Sequence, residues 1–194
     1  MRKDVFLSVF WGIIFAGLFT GCSLGNHNVI SQERAAEGFN SITLDGVGNV
    51  NVHPGKNYRV IVTTDSNLQD RVLTAVDGNN LRISQRSGSF NSTELTIDVY
   101  MPELRSISLR GAGNFKINNG SASEFDYSLS GAGNINAQSF QVQNVTINHS
   151  GTGNAKIWAT NSLNGTLSGV GNILYKGNPT ININKKGVGN INLL

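Results

Sequence analysis

The tetrapeptide Gly-x-Gly-Asn occurs six times, and no other feature limits the folds open to this chain as much. The copies are Gly46-Val47-Gly48-Asn49, Gly111-Ala112-Gly113-Asn114, Gly131-Ala132-Gly133-Asn134, Gly151-Thr152-Gly153-Asn154, Gly169-Val170-Gly171-Asn172 and Gly187-Val188-Gly189-Asn190. The last five begin 20, 20, 18 and 18 residues apart. A fixed period near twenty marks stacked units, none of which can bury an apolar face alone.

The flanks show what each unit is. Two residues before the first glycine stand Leu44, Leu109, Leu129, His149, Leu167 and Lys185; four before it stand Ile42, Ile107, Tyr127, Ile147, Gly165 and Ile183. One residue after the asparagine come Val50, Phe115, Ile135, Ala155, Ile173 and Ile191. Between these columns the residues are mostly Ser, Thr, Asn, Lys or Arg. Period-two alternation of this kind is strand, corner, strand with one apolar face. The corner calls for glycine because glycine reaches positive φ without a Cβ clash, and asparagine is the next most tolerant residue. The pattern predicts an all-β chain: a right-handed parallel β-solenoid (β-helix) with 18–20-residue rungs, a stacked corner asparagine ladder and an irregular N-terminal β section. His149, Ala155 and Lys185 depart from the apolar columns.

The chain opens with Arg2 and Lys3, then an uncharged run from Val5 to Phe19, then Thr20-Gly21-Cys22. About fifteen residues are short for a membrane-spanning helix, which needs about twenty. Small residues before a lone cysteine resemble the lipobox of bacterial lipoproteins, with Phe19 where leucine is usual. The expected layout is a lipoprotein signal peptide over 1–21, a tether over 22–38 beginning at an acylated Cys22, and one domain over 39–194. Ser23 in place of aspartate implies, by that resemblance, sorting to the outer membrane of a Gram-negative envelope. Cys22 is the one cysteine, so no disulfide forms within the chain.

Residues 39–104 are irregular. Ile42 to Val52 forms the first rung, Tyr58 to Thr63 and Leu81 to Ser84 alternate as strands, and Glu94 to Met101 is another strand ended by Pro102. Asp65 or Ser66 caps a helical turn through Val72. Arg86 to Thr93 is a polar loop. These strands are expected to cap and widen the first rungs.

The glycines carry no cofactor chemistry. A dinucleotide loop needs Gly-x-Gly-x-x-Gly between strand and helix, and here strands follow. A calcium roll needs aspartates, and these corners hold neutral asparagine. A polysaccharide hydrolase needs paired carboxylates, but no acidic residue follows Asp126. The upstream acids are scattered among turns and strands. His149 reads as a hydrogen-bonded core histidine, not a metal ligand. No catalytic residue, cofactor or metal is expected. A formal net charge of +3 does not argue for nucleic acid.

Three residues before each first glycine, Ser108, Ser128, Asn148 and Thr166 make a short-chain polar face with Thr43 and Asn184. Together with Trp158, an outward residue after Ile157, they form the candidate binding surface. The loop 86–93 is the alternative. The final rung ends at Leu193-Leu194 and offers an edge for a weak homodimer, which Lys185 and Lys186 would oppose.

The repeated Gly-Ala-Gly-Asn-Ile-Asn and Gly-Val-Gly-Asn-Ile-Asn, the Met101-Pro102-Glu103-Leu104 lead-in and the lipoprotein-like start resemble the bacterial head GIN domain family, the "putative auto-transporter adhesins". The resemblance spans about residues 39–194. It implies a β-helical fold and an extracytoplasmic, lipid-anchored location, with no catalytic residues to carry over. The expected function is a lipid-anchored binding or adhesion module of the cell envelope that presents a polar sheet surface to glycans or proteins. A structural, self-assembling envelope protein is the alternative, and a carbohydrate-active enzyme a third.

Overall fold

The computed structural model describes residues 23–194. The expected signal peptide over 1–21 and Cys22 lie outside the described residues. The chain begins with β1 (Ser23–Leu24), β2 (Val29–Arg34), β3 (Ser41–Asp45), β4 (Val47–Pro54) and β5 (Arg59–Asp65). A 3-10 helix, Ser66–Arg71, leads to β6 (Val72–Asp77), β7 (Asn80–Gln85), β8 (Phe90–Asn91) and β9 (Leu95–Met101). The repeats supply β10 (Ser106–Leu109), β11 (Ala112–Ile117), β12 (Gly120–Leu129), β13 (Ala132–His149) and β14 (Ala155–Leu167), then β15 (Ile173–Lys176), β16 (Thr180–Lys185) and β17 (Ile191–Leu193).

Successive repeats pair in parallel along two arms. In the first arm β4, β11, β13, β14, β15 and β17 lie side by side in that order. In the second, β3, β10, β12, β13, β14 and β16 do the same. The long strands β13 and β14 belong to both arms, so the arms are halves of one sheet. β13 passes between them through register breaks at Ala137/Gln141 and Val142/Asn144. Irregularities of this kind bend a strand and let it turn a corner.

The uniform right-handed parallel β-solenoid expected from the repeats is not the fold. Fifteen strands form one sheet of mixed order that comes round the core as a nearly closed barrel. Three antiparallel pairs overturn the parallel pattern: β2 with β5, β5 with β9, and β6 with β7. The physical reason lies in residues 29–101. They carry no Gly-x-Gly-Asn corner after Asn49, so their turns reverse the chain and make antiparallel neighbours. Within the segment read as a tether, Val29–Arg34 is six residues of strand against β5, and Ser23–Leu24 pairs with Phe90–Asn91.

The alternation buries one face. Ile107, Leu109, Phe115, Ile117, Tyr127, Leu129, Ile135, Ile147 and Ile157 are all within 2% of complete burial. Each such side chain contributes roughly 1.5–3 kcal/mol through removal from water. The irregular half joins the same core through Val60, Val62, Leu81, Ile83, Ile97 and Val99. Ala155 is buried among these, whereas Lys185 is exposed.

Candidate functional site

The corners position everything on the outside of the first arm. At Gly133 the backbone φ is 148°, in the region that favours glycine. A Cβ there would also run into the carbonyl oxygen of Gly113 on the neighbouring rung. Gly131 needs glycine for the second reason alone: its φ is ordinary, but a Cβ would strike the carbonyl oxygen of Gly111. In the five corners from Gly111 onward the first glycine therefore secures close approach, and the second secures both approach and turn; at Gly46 and Gly48 a Cβ would meet side chains of Gln85 and Leu95 instead. Val170 N–H donates to the Gly151 carbonyl at 2.9 Å, and Val188 N–H to Gly169 at 2.9 Å.

Against this corner the asparagines stack. Asn114 Nδ2 donates to Asn49 Oδ1 at 2.9 Å. Asn134 gives both its backbone N–H and its Nδ2–H to Asn114 Oδ1, each at 3.1 Å. Asn154 does the same to Asn134 Oδ1 at 3.0 and 3.4 Å, and Asn172 to Asn154 Oδ1 at 2.9 and 3.1 Å. Asn190 N–H donates to Asn172 Oδ1 at 3.0 Å. Because a backbone N–H can only donate, these contacts fix which amide atom is the oxygen.

Alternation places further side chains on the same outer face. Two residues past each asparagine, Asn51, Lys116, Asn136, Lys156, Leu174 and Asn192 align across the strands. Two further on, Trp158 lies beside Gln141 and Lys176. A shallow groove of about 490 Å³ runs over the ladder, lined by Asn134, Ile135, Asn136, Asn154, Lys156, Asn172 and Leu174. Lys176 Nζ stands 3.7 Å from the Trp158 ring centroid, a cation–π contact. The indole face on that side is thus already occupied.

The short polar side chains lie on the second arm. Thr43, Ser108, Ser128, Asn148, Thr166 and Asn184 are consecutive partners across β3, β10, β12, β13, β14 and β16. Ser108 and Ser128 are half-buried, and Asn148 and Thr166 are exposed. Thr166 Oγ1 donates to Asn148 Oδ1 at 3.2 Å. The structure does not bring Trp158 to this row. Trp158 keeps company with the corner asparagines and the lysines.

The profile of the family described as "Putative auto-transporter adhesin, head GIN domain" matches residues 38–119 and 111–179. The chain belongs to the head GIN domain family. Two solved structures are similar to this GIN domain in fold. One is a "putative adhesin" from Bacteroides fragilis, with TM-score 0.63 and 24% identity, covering 89% of this chain and 100% of the other. The second is a "putative cell adhesion protein" from Clostridium sporogenes, with TM-score 0.51 and 18% identity, covering 86% of this chain and 99% of the other. No curated protein matches.

Inside the GIN domain, His149 is fully buried in a column held by leucines up to Leu167 and by Lys185 in the last rung. Its Nδ1 is 3.1 Å from Tyr127 Oη, and the two rings meet edge to face. Burial lowers the imidazole pKa below its usual 6.5, opposed in part by the Val170 backbone. The histidine therefore stays neutral and accepts or donates one hydrogen bond in the core. Burial also drives the Tyr127 phenol far above its ordinary value of 10.0.

A second polar cluster fastens the first described residues to the GIN domain. Asp65, read as a helix cap, makes no capping hydrogen bond. Its carboxylate instead accepts Thr93 N–H at 2.6 Å and Thr93 Oγ1–H at 3.1 Å. Thr93 Oγ1 in turn lies 2.8 Å from His27 Nδ1, and His27 has φ 59°. Burial raises the Asp65 pKa, but the Thr93 and His27 hydrogen bonds and the nearby imidazole outweigh it, leaving a net lowering. Asn67 Nδ2 donates to Leu24 O at 2.8 Å, and Gly25 N–H to Asn91 O at 2.7 Å. The loop 86–93 is therefore bound to the N-terminal segment through β8. Together they line a cavity of about 220 Å³ formed by Leu24, Gly25, His27, Asn91, Ser92 and Thr93.

The reading of His149 as a hydrogen-bonded core histidine holds, with Tyr127 as its partner. The sequence pattern missed the Asp65–Thr93–His27 cluster, whose members lie far apart in the chain and share no repeat. The groove was within reach. Extending the columns two and four residues past each asparagine would have put Lys156 and Trp158 beside Asn154.

Proposed function

We propose that this GIN-domain protein is a binding or adhesion module of the cell envelope, anchored by lipid at Cys22, that holds glycans or proteins on its sheet surface. One observation carries the reading: the outer residues of successive rungs stand in register on a fixed backbone. Asn49, Asn114 and Asn134 are direct partners across β4, β11 and β13, as are Ser108, Ser128 and Asn148 across β10, β12 and β13. Side chains held this way present a preorganised array, and preorganisation lowers the entropic cost of binding. The adhesin description of the family and of two structural neighbours supports the same function. Among the described residues no helix is long and apolar enough to cross a membrane. In this reading Cys22 carries the attachment.

The test is an array of glycans and matrix proteins probed with the full chain in detergent. Saturable retention on a subset of spots is the expected result. Turnover of an arrayed glycan would replace this reading with an enzyme. Particle size that grows with concentration, with nothing retained, would replace it with a self-assembling envelope protein.

A further inference from the structure

The orientation of the asparagine ladder decides what can lie on it. The Oδ1 atoms of Asn114, Asn134 and Asn154 each accept two hydrogen bonds from the next rung, one from the backbone and one from Nδ2. Two bonds use both lone pairs of an amide oxygen. Each Nδ2 carries two protons and gives one to the preceding rung, so the second is left to face outward. From Asn114 to Asn154 the ladder consequently offers donors, not acceptors. The side chains are exposed at Asn134 and Asn154 and half-buried at Asn172.

Charge points the same way. Lys156 lines the groove, and Lys176 is fixed above Trp158 two residues along the neighbouring rank. Trp158 lies roughly 7 Å beyond Lys156 along the strand. Lys116 continues the lysine row on β11. No aspartate or glutamate follows Asp126 in the sequence, so β13 to β17 bring no carboxylate to this face. The donors recur at the strand spacing of about 4.8 Å, which suits a ligand with its own repeat.

Resting on the adhesion reading above, we infer that this groove binds an anionic glycan, a polymer carrying carboxylate or sulfate groups. Asn134, Asn154 and Asn172 donate to its oxygens, Lys156 and Lys176 pair with its charges, and Trp158 positions Lys176.

The experiment measures binding of the full chain in detergent to polygalacturonate, dextran sulfate, neutral dextran and poly(dT), at low and high salt. The polygalacturonate and dextran sulfate arms separate carboxylate from sulfate. Binding to at least one of them, with none to neutral dextran or poly(dT), is expected, and it weakens as salt screens the lysines. Lys156→Gln with Lys176→Gln reduces affinity about tenfold, as loss of two charge contacts would. Asn192→Lys, which extends the same row on β17, tightens binding, while Ala75→Lys, exposed on β6 outside both arms, leaves it unchanged. Equal binding to neutral dextran or to poly(dT) overturns the anionic-glycan assignment. So does an unchanged affinity in the double variant, or equal tightening by Ala75→Lys. Those failures leave the adhesion reading intact if the array retains the protein elsewhere; retention on no probe and no array spot overturns both.

Discussion

Three glycine substitutions separate the two demands that the corner makes on its backbone. Gly78→Ala tests conformation alone: φ is 56°, and nothing lies within 4 Å of the added Cβ. A left-handed residue of this kind costs about 1–2 kcal/mol. Gly131→Ala tests approach alone, since its φ is ordinary but its Cβ would overlap the Gly111 carbonyl oxygen. That oxygen is backbone and accepts the Ala132 N–H at 2.9 Å, so it cannot swing aside without breaking a rung-to-rung bond. Overpacking costs about 1–3 kcal/mol, and loss of the hydrogen bond adds about 1 kcal/mol. Gly133→Ala meets both demands, with φ 148° and a collision with the Gly113 carbonyl. Its expected cost is about 3–5 kcal/mol, in the range reserved for named structural failures. Urea denaturation of the full chain in detergent, followed by tryptophan fluorescence and fitted with a common slope, ranks the variants Gly133 > Gly131 > Gly78 in cost. If Gly131→Ala lies within about 0.5 kcal/mol of wild type, close approach is not what the first glycine provides, and the stacking argument fails.

Further outcomes can be measured in the same way. Tyr127→Phe strands His149 Nδ1 in the core and costs about 1–3 kcal/mol, whereas the pair Tyr127→Phe/His149→Leu recovers most of that loss in thermal melts. With the His149 pKa held below 6.5, the unfolded chain takes up a proton that the native site refuses. Native stability therefore declines as pH falls from 6.5 toward the folded value, and the double variant removes that decline when Tm is followed against pH. Thr93→Val releases Asp65 and His27, so amide hydrogen exchange should quicken at residues 25–28 while β12 to β14 keep their protection. The lowered Asp65 pKa means its stabilising effect is present above the ordinary 3.8 and lost as pH falls through the folded value; Asp65→Asn should abolish that acid-dependent loss. Trp158→Ala frees Lys176 and weakens anionic-glycan binding several-fold, with about 1 kcal/mol or less of stability lost. Cys22→Ser shifts the protein from the detergent phase to the aqueous phase or leaves it unprocessed; unchanged partitioning would refute the anchor.

What could be read from the chain alone was local and periodic. The columns through Leu109, Leu129 and Leu167 fixed the buried face, and the 20- and 18-residue steps fixed the register between neighbouring rungs. The closure of the sheet was not legible. It depends on β5, β6 and β9: the Gly78-Asn79 turn sets the β6–β7 pair, and β5 finds β2 and β9 through residues far apart in the chain and outside the repeat. The role of the first glycine was hidden for a similar reason. Positive φ is a property of one residue, whereas the clash at Gly131 involves a carbonyl twenty positions away. Trp158 and the Ser128–Asn148 row were joined into one surface because both face outward, but β14 carries Trp158 and Thr166 on different arms.

The corner amides also give the molecule a direction. In each recorded bond the N–H of the later asparagine points at the oxygen of the earlier one, from Asn114 to Asn49 through Asn172 to Asn154. Aligned amide dipoles add head to tail, as peptide units do along a helix. The stack is therefore electrically polar, positive toward the Asn49 rung and negative toward Asn190. Each bond also polarises the next, so the ladder strengthens as it lengthens. A chain with unlike ends, laid along this axis, would meet different fields in its two orientations, and the row of asparagines becomes a means of telling one from the other.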